Sequence, residues 1–117
     1  MTASHPHGKG HWLLQRMSAV LLLPLGLWFG YVLVTRVDFS RAAWLAFVAA
    51  PWHAGALIVF LLALLLHSEL GVQVIIEDYV SRGRRERTLQ ALNQAVHLVA
   101  GVIGVFAVLH IAMRAVS

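Results

Sequence analysis

Three stretches of this chain contain no Asp, Glu, Lys or Arg: residues 17–35, 42–68 and 88–113, which are 19, 27 and 26 residues long. About 20 apolar residues cross the hydrocarbon core of a bilayer as a helix. Lipid offers no hydrogen-bond partner to an open sheet edge, so helices are the expected form. The predicted fold class is all-α, an integral membrane protein of three transmembrane helices in a single domain over residues 1–117. Composition agrees: 60% of residues are hydrophobic and 12% are charged, against about 45–50% and about 25% in soluble proteins. A disordered chain is excluded, because such chains are poor in apolar residues. The absence of cysteine excludes disulfides, thiolate zinc sites and cysteine-ligated iron–sulfur clusters in this chain.

The first run is too long for a signal peptide and no clear small-residue cleavage site follows it. Trp12 and Arg16 extend it toward its N-terminal interface. Pro51 marks the start of the second helix, where a missing N–H costs nothing, and residues 42–50 read as an interfacial or short helical connection. The predicted helices run over about 12–36, 52–80 and 88–114, with residues 1–10 a loose polar tail too irregular for a metal site.

The net charge of +4 reads as membrane topology rather than nucleic-acid binding. With three spans, Lys9, Arg16, Arg82, Arg84, Arg85 and Arg87 share one side, and Arg36, Arg41 and Arg114 the other. Six cations against three place the N-terminus on the cytoplasmic side. The basic block at 81–87 serves as a topology signal, and a dock for a soluble partner or anionic lipid is its functional alternative.

Ionisable groups inside a span are expensive and mark function by default. If Tyr79 sits at the cytoplasmic interface, His67 lies twelve residues deeper, about 18 Å at 1.5 Å per residue, near the middle of a ~30 Å core. His97 lies about 13 Å beyond Thr88 by the same rise. A mid-membrane imidazole ligates haem iron, bonds a carbonyl of a neighbouring helix or relays protons; for His67 all three stay open. Gly71, one turn on, would let a flat macrocycle approach the backbone. His97, followed by Gly101 and Gly104 on one face, reads as a hydrogen-bonded group in a close helix contact, with a second haem ligand as alternative. His53 and His110 read as interfacial polar groups.

Asp78 falls within about 20° of the His67 face at 100° per residue. Tyr79 beside it suits an aromatic belt, or a hydroxyl donor to a carbonyl of a lipid-soluble ligand with Asp78 in support. Arg16 either snorkels or faces an acidic group of a bound cofactor. Gly26 and Gly30 form a GxxxG, a close-approach motif common in spans, and Pro24 is a candidate kink.

Two segments resemble the hydrophobic membrane-anchor subunits of succinate dehydrogenase, respiratory complex II. WLLQRMSA at 12–19 resembles the family's Arg-x-Ser/Thr-Ala opening of helix one. HSELGVQVIIEDYV at 67–80 resembles its His-x-x-x-Gly followed by Asp-Tyr, with the twelve-residue separation of His and Tyr kept. The likeness covers the chain in architecture and about 22 residues in motif.

The resemblance implies that this chain is half of a heterodimeric helical anchor in a bacterial inner (cytoplasmic) membrane. His67 would be an axial ligand of haem b, the second ligand coming from a cytochrome b556 partner subunit, with Gly71 packing against the haem. Arg16 would face a haem propionate, Tyr79 would hydrogen-bond ubiquinone and Asp78 would support that site. An iron–sulfur subunit and a flavoprotein would complete the assembly, and this subunit would be non-catalytic. The rivals are an anchor of a quinol-oxidising fumarate reductase, a small homo-oligomeric transporter and a purely structural assembly protein.

Overall fold

The computed structural model describes residues 6–36, 38–80 and 82–116, the side chains of 6–9 and 115–116 excepted. Four helices follow one another: α1 (Pro6–Thr35), α2 (Arg41–Ala49), α3 (Pro51–Tyr79) and α4 (Arg84–Val116). No strand occurs among the described residues. The helices α1, α3 and α4 are each long and apolar enough to cross a membrane, so this is an all-α, multi-pass membrane chain.

Two helix starts differ from the sequence expectation. Helix α1 already begins at Pro6, so 6–10 are helical rather than loose; residues 1–5 of the expected tail lie outside the described residues. Helix α4 begins at Arg84 rather than near 88, inside the arginine block. For α4 the cause is that hydropathy marks where lipid ends, whereas a helix continues into the headgroup layer wherever residues tolerate it, and the Arg and Glu of 84–87 are good helix formers. Helix propensity does not explain the early start of α1, whose residues 6–10 include two glycines. Gly83 makes the turn before α4, with φ 134°, a conformation that costs glycine little. Glu86 then sits in the first turn of α4, where the helix dipole favours a negative charge.

The connection at 42–50 is the short helix α2. Ser40 caps it by accepting a hydrogen bond from the Ala43 amide at 3.1 Å. Ala50 is extended (φ −66°, ψ 128°), as a residue before proline prefers, and Pro51 opens α3. Phe47 of α2 is buried. It stacks on Trp28 at 6.0 Å and on the His53 ring at 4.0 Å, and the Arg36 guanidinium lies 4.6 Å from its ring centroid. His53 Nδ1 donates to the Phe47 carbonyl at 2.9 Å. His53 is thus a structural member of an aromatic cluster that ties α2 to the spans at the far end.

Helix α3 is the middle helix. Both α1 and α4 pack along it, antiparallel, while α1 and α4 make no backbone approach to each other among the described residues. Most of the apolar surface stays uncovered within the chain: none of the apolar window of α4 is buried. Lipid or other subunits must cover it. Helix α1 runs unbroken through Pro24. A Cβ added at Gly26 or Gly30 would meet nothing within 4 Å, so the described packing does not use the GxxxG face.

Candidate functional site: two histidine seams on the middle helix

His11, Gln15 and Ser18 recur at spacings of four and three on α1 and so share one face. That face meets α3 at Gly71 and His67. A Cβ on Gly71 would touch only the Gln15 amide nitrogen, at an ordinary 3.9 Å. One turn deeper, Ser18 is the most enclosed side chain described, at 2% exposure. Its Oγ donates to the Gln15 carbonyl at 2.9 Å and lies 3.1 Å from His67 Nδ1. His67 Nε2 has no hydrogen-bond partner among the described residues, and the half-buried ring leaves that nitrogen unsealed. Two other polar atoms of this α1 stripe, His11 Nε2 and Gln15 Oε1, are enclosed without a partner.

The α3–α4 seam has a stripe of its own, Gln90, Asn93, His97, Gly101 and Gly104, spaced three, four, four and three. Gln90 Nε2 donates to the Gln73 carbonyl at 3.2 Å, and the buried Asn93 donates to the Glu69 carbonyl at 3.0 Å. His97 Nδ1 donates to the Asn93 carbonyl at 2.8 Å, and Nε2 pairs with the Ser68 hydroxyl at 3.1 Å. Deeper in the seam the residues become small. A Cβ on Gly101 would press on Leu65 at 3.4 Å, and one on Gly104 would collide with Leu61. This seam is polar glue at one end and close helix approach at the other. It meets the expectation that His97 is hydrogen-bonded in a helix contact; both of its ring nitrogens are taken.

The remaining residues singled out from sequence stand outside these seams. Tyr79 ends α3 and is 85% exposed. Asp78 is exposed, and neither side chain makes a hydrogen bond to another described residue. Glu77, their neighbour, accepts from Gln73 Nε2 at 3.2 Å. Arg16 is exposed, with its guanidinium 5.3 Å from the Trp12 ring centroid. It lies about 160° round α1 from Ser18 at 100° per residue. The structure therefore brings together Ser18, Gln15, Gly71 and His67, and joins neither Arg16 nor the Asp78–Tyr79 pair to them.

The sequence motifs contain Ser18 and Ser68 without indicating a partner for either, and Gln90 and Asn93 fall outside them. Their signal was present: Asn93 falls four residues before His97, on the stripe already marked by Gly101 and Gly104.

No three His, Asp or Glu side chains converge among the described residues as a metal site would need. A single open imidazole nitrogen fits a different kind of metal centre, one completed by a planar macrocycle and an axial ligand from elsewhere. The donor set fits haem in two further respects. The second ring nitrogen is hydrogen-bonded, as it is in most metal-ligating histidines. The bare backbone at Gly71 is not demanded by any close contact inside this chain.

Residues 2–111 match the family model described as succinate dehydrogenase/fumarate reductase transmembrane subunit. Among curated proteins, the chain is similar to the succinate dehydrogenase hydrophobic membrane anchor subunit of Rickettsia bellii. Identity is 32% over 108 residues, covering 90% of this chain and 86% of the relative. The subunits of the same name from Rickettsia conorii and Rickettsia felis are 31% and 33% identical over 109 and 104 residues. Those alignments cover 90% and 85% of this chain, and 86% and 85% of the relatives.

Proposed function

The chain belongs to the succinate dehydrogenase/fumarate reductase transmembrane subunit family, and on that footing we propose that it anchors a succinate:ubiquinone oxidoreductase, helps to hold haem b and forms part of the ubiquinone site. The observation that carries the haem part is the unpartnered Nε2 of mid-span His67, on a ring whose Nδ1 is held by buried Ser18. His67 is the proposed axial ligand, and Gly71 lets the macrocycle lie against α3. When bound, haem b supplies a one-electron centre within the membrane.

A second ligand to the haem iron would come from a cytochrome b556 partner, since the described residues present one open imidazole at that level. Arg16 is proposed to pair with a propionate. Because Arg16 stands away from Ser18 round α1, a propionate would have to approach it from outside the α1–α3 seam.

Tyr79 and Asp78 are proposed for the quinone. At the exposed end of α3, the Tyr79 phenol is placed to donate a hydrogen bond to a quinone carbonyl arriving from the lipid. The Asp78 carboxylate orients it and supplies a nearby proton acceptor. The arginine block lies at the same end, so an iron–sulfur subunit docking there would sit close to Tyr79. Succinate oxidation belongs to the flavoprotein in this reading. The membrane is the bacterial inner membrane, with the N-terminus cytoplasmic by the distribution of arginines.

The test is purification of the chain from native membranes in mild detergent, with mass spectrometry and a haem spectrum. The expected preparation contains a flavoprotein, an iron–sulfur protein, one other small hydrophobic subunit and b-type haem. Recovery of the chain alone as a haem-free homo-oligomer would contradict the proposal and favour a transporter.

A further inference from the structure

The two nitrogens of the His67 ring are not equivalent, and Ser18 decides which does what. A serine hydroxyl has one proton to give. Ser18 Oγ has two neighbours, the Gln15 carbonyl oxygen at 2.9 Å and His67 Nδ1 at 3.1 Å. The carbonyl cannot donate. If the hydroxyl proton went to the ring, two oxygens would face each other at 2.9 Å with no proton between them. Ser18 is 2% exposed, so no water is at hand to relieve that repulsion, and the low local dielectric amplifies it. The proton therefore goes to the Gln15 carbonyl, and the oxygen lone pair accepts from Nδ1–H. A neutral imidazole has a single N–H, which leaves the lone pair on Nε2.

Resting on the haem reading given above, we propose that Ser18 is the positioning residue of His67: it fixes the ring's orientation and its Nδ1–H tautomer, so that α3 presents an Nε2 lone pair to haem iron. The Gln15 carbonyl, Ser18 Oγ and the His67 ring form one relay across the α1–α3 seam. His97 is the internal control. Its Nδ1 donates to a carbonyl, so it holds the same tautomer, but its Nε2 lone pair is consumed by Ser68. Hydrogen bonding at the distal nitrogen also raises the basicity of a ligating imidazole, which favours ferric iron and lowers the potential.

The experiment compares wild type, Ser18→Ala, Ser18→Thr and His67→Ala in the assembled complex. It reads haem retention, the low-spin ferric electron paramagnetic resonance signal and the haem midpoint potential. Ser18→Ala is expected to assemble, to bind haem about 10- to 100-fold more weakly, and to shift the potential upward with altered g-values. Ser18→Thr, which keeps a hydroxyl, is expected to restore all three. If His67→Ala abolishes the low-spin signal while Ser18→Ala matches wild type, the role of Ser18 is overturned and the haem reading stands. If His67→Ala leaves the low-spin signal intact, the haem reading itself fails.

Nitrogen-15 spectra of the histidines in the haem-free wild-type chain, reconstituted in bilayers, need no variant. A protonated Nδ1 and bare Nε2 on His67 are expected. Protonation at Nε2 overturns the proposal.

Discussion

On the α4 side of the middle helix, His97 spends both ring nitrogens inside the seam; on the α1 side, His67 spends one. The glycines follow the same division. Gly104 lies where a Cβ would collide with Leu61, whereas a Cβ at Gly71 meets only an ordinary contact with Gln15. The same local pattern, a histidine followed by glycine one turn on, therefore sits in two different packing environments. In the α3–α4 seam the polar side chains of Gln90, Asn93 and His97 find partners within the chain, Gln90 Oε1 being an enclosed atom left unpaired. The α1–α3 seam holds an imidazole by Nδ1 and leaves its Nε2 without a partner among the described residues. A polar group in a span stabilises helix packing when its bonding capacity is used up. It points to a ligand when that capacity is held in reserve by a rigid neighbour.

The largest effect on packing is expected from Gly104→Leu, which forces an added side chain into Leu61. Overpacking of this kind costs about 1–3 kcal/mol, readable as a lower midpoint in detergent-titrated unfolding. Gly71→Ala is the contrasting variant: its unfolding midpoint should stay near wild type while haem content falls. A large loss of stability at Gly71 would erase the distinction between the seams.

Next in size is Asn93→Leu, which removes a buried donor to the Glu69 carbonyl. Interhelical hydrogen bonds in membranes average about 0.6 kcal/mol and reach about 1.7, so a destabilisation in that range is expected with the haem spectrum unchanged. Smallest for stability is Tyr79→Phe. With the side chain 85% exposed, unfolding should be unaltered, while quinone reduction by the complex drops more than succinate oxidation with an artificial acceptor. Equal rates with both acceptors, matching wild type, would remove Tyr79 from the quinone site.

The three spans were legible because membrane burial leaves a long, charge-free signature that local detail cannot hide. The similar level of His67 and His97 on adjacent helices was legible by counting residues along a helix of known rise, and the His97–Ser68 contact bears it out. The true starts of α1 and α4 were not legible, since hydropathy falls at the lipid boundary while the helical backbone continues past it. The roles of Ser18 and Ser68 were equally hidden. A hydroxyl in an apolar run satisfies itself by bonding a carbonyl in its own helix, and whether it also meets an imidazole depends on how two helices are rotated against each other. That rotation is set by the whole seam: by Gly101 and Gly104 on one side of α3, and by the Gln15–Gly71 contact on the other. The chain's own packing leaves Arg16 and the Asp78–Tyr79 pair without a common site, because the surfaces that would join them belong to other subunits in the proposed assembly.

The most direct measurement is haem content and the reduced absorption spectrum of the purified complex carrying His67→Leu, set beside the same complex carrying His97→Leu. The expected result is loss or marked alteration of the b-type spectrum with His67→Leu, and a wild-type spectrum with at most a modest fall in stability with His97→Leu. The same response from both variants, or a spectrum lost only with His97→Leu, would contradict the assignment of the open nitrogen of His67 as the ligand.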